Sequence, residues 1–176
     1  MALSKRLSGA PASPFQRGKT TAVVLGLEVA ALITPVRSAG AADSPVPALV
    51  GSWSGAGEAV LDSGKTEQMR CKGYYTGQGS DGLGIAIRCA NASSKIDLRA
   101  TLTFANGAVS GNWEERTYNA AGIVSGSASA NKVNLAITGG GMTAAMAVSI
   151  TAAGHSIAIS TQGSGLKGVK IDFLRG

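Results

Sequence analysis

The segment from Lys95 to Phe104, KIDLRATLTF, constrains the fold more than any other. Ile96, Leu98, Ala100, Leu102 and Phe104 alternate there with Lys95, Asp97, Arg99, Thr101 and Thr103. A period of two places the apolar set on one face of a pleated strand and the polar set on the other, the mark of a half-buried strand rather than a helix. The same alternation runs through Met142 to Ile150, where Met142, Ala144, Met146, Val148 and Ile150 share a face, and through Asn131 to Thr138 by way of Val133, Leu135 and Ile137. Turn signals separate such runs at close spacing: Asp62-Ser63-Gly64, Thr76 to Gly82, Asn91 to Ser94, Asn106-Gly107, Asn119 to Gly122, Gly139 to Gly141 and Ala153-Gly154. They divide the chain into about nine or ten strands. Short loops pair neighbours in order, as an antiparallel up-and-down meander. No segment reads as a helix long enough to cover a sheet. Such a meander has to protect its edges, so a closed barrel of eight to ten strands is expected in preference to a two-sheet sandwich.

The first forty-one residues read differently. A basic start (Lys5, Arg6, Arg17, Lys19) leads into the apolar run Thr21 to Thr34, then Pro35 and Ala39-Gly40-Ala41. That order is the order of a secretory signal peptide. Glu28 interrupts the run, which is shorter than the about 20 apolar residues of a spanning helix, so cleavage near Ala42 is favoured over an anchor. The expected organisation is a signal peptide over 1–41, a short linker over 42–50 and a β-barrel domain over 51–176, in the periplasm or outside the cell. Without a paired-arginine motif, the general secretion route is expected. No later segment could span a bilayer as a helix. Barrel strands in an outer membrane are disfavoured as well, because Lys95, Asp97, Arg99, Lys170 and Asp172 would face lipid.

Cleavage also removes most of the basicity, leaving eleven basic against nine acidic residues, a balance of +2. No nucleic-acid partner is expected at that charge, since phosphate contacts dominate such binding. Cys71 and Cys89 are the two cysteines, and an even count in an exported chain reads as a disulfide. A hairpin pairing centred on residue 80 sets the two directly opposite, with Met69, Cys71 and Tyr75 of one strand and Ile85, Ile87 and Cys89 of the next both facing the core. Neither a metal site nor a cofactor is expected: the single histidine, His155, is far away in sequence, and Gly139-Gly140-Gly141 lacks the Lys-Ser/Thr of a phosphate loop.

In the first strand, GSWSGAGEAVL, Trp53 shares a face with Gly55, Gly57, Ala59 and Leu61. In the last, VKIDFLR, Val169, Ile171 and Phe173 share a face with Arg175. If first and last strands meet, the Trp53 indole and the Arg175 guanidinium can stack at one barrel end. Gly51-Ser52-Trp53 with Arg175 resembles the Gly-x-Trp and terminal arginine of the calycins, the barrel group of lipocalins, fatty-acid-binding proteins and avidins. The early Trp, the size and the single disulfide are also similar to secreted barrel inhibitors of bacterial metalloproteases. From Gly51 to Arg175 the chain resembles small exported proteins of Gram-negative bacteria through WSGxGE, a Cys-bearing hairpin and SGxWxE. That resemblance implies a location and no activity. No lipocalin-type second or third motif is placed, and no helical lid follows Trp53, so a ligand cavity is not carried over.

Four residues are candidates for ligand contact: Trp53, Trp113, Glu115 and Arg175. The simpler expectation for Trp53 is a core plug. Ser110 to Glu115 echoes Gly51-Ser52-Trp53 sixty residues on, as convergence on a strand pattern rather than a repeat. Glu114 and Glu115 fall on opposite faces. If Glu115 turns inward it needs an Arg, Tyr or water partner, and a rim position is the commoner solution. His155 falls on the apolar side of its strand, as a satisfied histidine at a strand end. No catalytic set is assigned, and the glutamates Glu58, Glu67, Glu114 and Glu115 are scattered. Outside, Arg70, Lys72, Arg88, Lys95 and Arg99 form a basic stripe that either is balanced by Asp97 and nearby acids or contacts an anionic surface.

The function expected is non-enzymatic: a binding module that takes a small apolar ligand or an envelope protein. The alternatives are a barrel-type protease inhibitor that inserts Ala42 to Pro47 into an active site and, less favoured, a carboxylate-dependent hydrolase.

Overall fold

A computed structural model describes residues 44–176 of the chain. The signal peptide expected over 1–41 lies outside the described residues. One helical turn, α1 (Val46–Leu49), precedes ten strands: β1 (Gly51–Leu61), β2 (Thr66–Gln78), β3 (Gly82–Ala90), β4 (Lys95–Ala105), β5 (Ala108–Glu115), β6 (Ala120–Ser129), β7 (Lys132–Gly139), β8 (Met142–Ile150), β9 (Gly154–Gln162) and β10 (Leu166–Arg175). Every strand pairs antiparallel with its neighbours in sequence, and β1 pairs with β10, so the meander closes into a barrel with no free edge.

The alternation read in the sequence sets the register. On β4, Leu102 and Phe104 are buried while Thr101 and Thr103 are exposed. The β2–β3 hairpin has the register centred on residue 80: Cys71 lies opposite Cys89, and the two form a disulfide. Its loop is tighter than the Thr76 to Gly82 turn expected, because pairing continues to Gln78↔Gly82. β1 is glycine-rich for a packing reason. A Cβ on Gly55 would stand 2.6 Å from a Phe173 ring carbon, so the bare backbone makes room for that ring.

The segment 42–50, expected to be a linker, is not loose in its described part. Pro45 is fully buried, and Val46 and Leu49 are buried against one end of the barrel. A single helical turn leaves its last carbonyls without intrahelical partners. Here the barrel supplies them. The Trp53 indole Nε1 donates to the Leu49 carbonyl at 2.8 Å, and Arg175 donates to the Val50 and Ala48 carbonyls at 3.3 and 3.1 Å. α1 is thus a plug over the end where β1 starts and β10 finishes. At the other end lie the five turns β1–β2, β3–β4, β5–β6, β7–β8 and β9–β10, and α1 does not cover it.

Candidate functional site

Ten strands make a barrel wider than eight, whose interior side chains can fill. Some of the inward positions are also small: Ala59, Ala100 and Ala144 line the interior. The result is a cavity of about 730 Å³, within the range of small-molecule sites. Its walls are aliphatic and thioether side chains such as Met69, Ile87, Leu135, Met146, Ile157 and Val169. Polar lining gathers at the uncovered end, where Asn91, Ser93, Ser94, Glu115, Thr161 and Ser164 form a mouth.

The closed end is an aromatic layer. The His155 ring stacks on Phe173 at 4.9 Å between centroids and meets the Trp53 ring edge-on at 4.7 Å. Its Nε2 shares a hydrogen bond of 3.1 Å with the Tyr75 hydroxyl, while its Nδ1 has no partner. The expectation of a satisfied histidine is therefore met at only one nitrogen. Burial pushes its pKa down to about 4, which leaves the ring neutral near pH 7. Burial likewise raises the Tyr75 phenol above its ordinary value. Among the described residues neither ring is hydrogen-bonded to a carboxylate.

The four candidate contact residues separate. Trp53 and Arg175 lie directly opposite each other on β1 and β10, with the guanidinium carbon 4.6 Å from the indole centroid. They form the outer seal of the closed end and do not line the cavity. Trp113 and Glu115 line it near the mouth. The Trp113 indole donates to the Thr138 carbonyl at 3.2 Å, just as Trp53 ties itself to a backbone carbonyl at the opposite end.

Glu115 is buried at the rim, and its partners are not the Arg, Tyr side chain or water that its sequence suggested. It accepts backbone N–H groups from Asp97 at 2.8 Å, Thr117 at 3.1 Å and Tyr118 at 2.6 Å. Burial alone would raise its carboxyl, but these amides outweigh it and hold the group below the usual carboxylate range. The β5–β6 turn wraps over this carboxylate. On the same rim Glu67, another buried acid, pairs with Lys65 at 2.7 Å and accepts the Ser93 hydroxyl at 2.6 Å; those two bonds lower its carboxyl. No pattern in the sequence marks Glu67 beyond its inward parity with Met69 and Cys71.

On the outside, Asp97 pairs with both Arg88 at 3.4 Å and Arg99 at 3.2 Å, and Lys72 donates to the Ser54 hydroxyl at 2.7 Å. Three of the five stripe residues are thereby engaged, and Arg70 and Lys95 are exposed to solvent. Among the described residues no group of three or more His, Cys, Asp or Glu is placed to hold a metal, and no helix is long and apolar enough to cross a membrane.

These features define a closed ten-stranded antiparallel barrel with an apolar interior. Two similar solved structures are Rv2717c from M. tuberculosis and the S-type phycobiliprotein lyase CPES from Guillardia theta. The first has a TM-score of 0.62 at 13% identity, over 73% of this chain and 93% of that one. The second has 0.56 at 10% identity, over 74% and 90%. The likeness at such identities is one of fold. No protein-family model and no curated protein sequence matches the chain.

Proposed function

We propose that this protein is an exported, non-enzymatic binding barrel that holds a small apolar ligand inside. The observation that carries the reading is the cavity of about 730 Å³ with aliphatic walls, a polar mouth at one end and a plug at the other. Apolar surface left facing such a space is surface that a ligand can remove from water, at roughly 25 cal/mol per Å². Export to the periplasm or beyond is supported by the leader-like first forty-one residues and by the Cys71–Cys89 bridge, which an oxidising compartment would preserve.

The inhibitor reading fits less well. It requires Ala42 to Pro47 to be free for insertion, whereas Pro45 is fully buried and α1 is bound by Trp53 and Arg175. The hydrolase reading requires two carboxylates facing one another across a substrate. Glu67 and Glu115 are instead each sealed by their own hydrogen bonds, and Glu114 lies outside, 3.9 Å from Arg116.

Native mass spectrometry of the protein purified from its own cells, before and after organic extraction, tests the proposal. The expected result is a mass excess that extraction removes, on a protein two hydrogens lighter than its reduced form. A protein that carries no small molecule and also takes up no apolar dye would contradict it.

A further inference from the structure

The binding reading leaves open what kind of ligand head group the barrel accepts, and the charges around the cavity bear on that. Among the described residues that line the cavity, none is Lys or Arg. The one basic side chain on the lining, His155, is neutral because it is buried. The ionised group on the lining is Glu115, and its three hydrogen bonds come from backbone amides rather than from a cation. Elsewhere on the same rim, on β2, stands Glu67, whose partner Lys65 is already committed at 2.7 Å. The rest of the mouth offers neutral hydrogen-bonding groups: Asn91, Ser93, Ser94, Thr161 and Ser164.

We propose that the cavity selects uncharged amphiphiles, such as long-chain alcohols or neutral esters, and excludes anionic ones, fatty-acid carboxylates included. The physical reason is desolvation. A carboxylate that follows its chain into this barrel gives up water, finds no counter-charge, and approaches Glu115. A hydroxyl or ester gives up far less, and the amide and hydroxyls of the mouth can replace its water hydrogen bonds. The chain itself is indifferent to the head, because the walls contacted by either ligand are the same apolar side chains.

This selectivity rests on the binding-barrel reading, and one experiment separates the two. The purified protein is titrated at pH 8 with N-phenyl-1-naphthylamine, a neutral dye that fluoresces in apolar surroundings, and the bound dye is then competed with 1-dodecanol or with dodecanoate below its micelle concentration. The expected result is dye binding that dodecanol displaces at a concentration at least about tenfold lower than dodecanoate does. Displacement by dodecanoate at equal or lower concentration overturns the selectivity and leaves the binding barrel standing. A protein that binds no dye overturns both.

Discussion

His155 is the residue through which pH acts on this fold. It lies between Phe173 and Trp53 with one ring nitrogen bonded to Tyr75 and the other without a partner, so a second proton would put a charge into an apolar layer. Its folded pKa of about 4 lies below the ordinary value of 6.5. Between those values the unfolded chain binds more protons than the folded one. The stability His155 contributes is therefore complete above about pH 6.5 and is lost as pH falls to 4, with a size on the order of 3 kcal/mol. The thermal midpoint should drop between pH 7.5 and pH 4.5, and His155→Gln, which keeps a partner for Tyr75 but does not titrate in this range, should drop less. Parallel profiles for the two proteins would contradict this role. Glu115 acts in the same direction, but only below the usual carboxylate range. Sequence parity put His155 on the apolar side of its strand but left open whether Glu115 turns inward. Their partners were not legible, because backbone amides and a neighbour eighty positions away leave no local pattern.

At the scale of elements, strands were readable and the plug was not. β4 and β8 begin and end within a residue of their alternating runs; a hairpin centred on residue 80 brings Cys71 opposite Cys89, and closure of the first strand on the last brings Trp53 opposite Arg175. α1 has four residues with Pro47 inside it, too few to show a helical period. It is held by groups outside itself: an indole from β1 and a guanidinium from β10 that bond its terminal carbonyls. Arg175→Ala removes two of those three bonds together with the stack on Trp53, and should destabilise the barrel by about 1–3 kcal/mol in urea unfolding. Arg175→Lys keeps the charge but not the two-pronged geometry, and should recover only part of the loss. An alanine variant as stable as the parent would show that α1 stays seated without it.

For the whole molecule, closure follows from strand count and short loops, whereas the cavity follows from a balance of volumes that a linear pattern does not display. Ten strands set the circumference, and small inward residues such as Ala59, Ala100 and Ala144 leave space inside while Trp53, Tyr75, His155 and Phe173 crowd one end. Trp113 and Glu115 lie toward the other end, on the lining. A barrel emptied in this way, with nonpolar walls and no cation on its lining, is suited to hold a neutral apolar molecule. The most direct test fills the space from within. Ala144 points into the cavity from β8, and Ala144→Phe should weaken binding of N-phenyl-1-naphthylamine at least about tenfold, with a thermal midpoint no lower than the parent's because the added ring occupies empty volume rather than packed core. Undiminished dye binding by the folded variant would place the dye elsewhere and contradict an internal binding site.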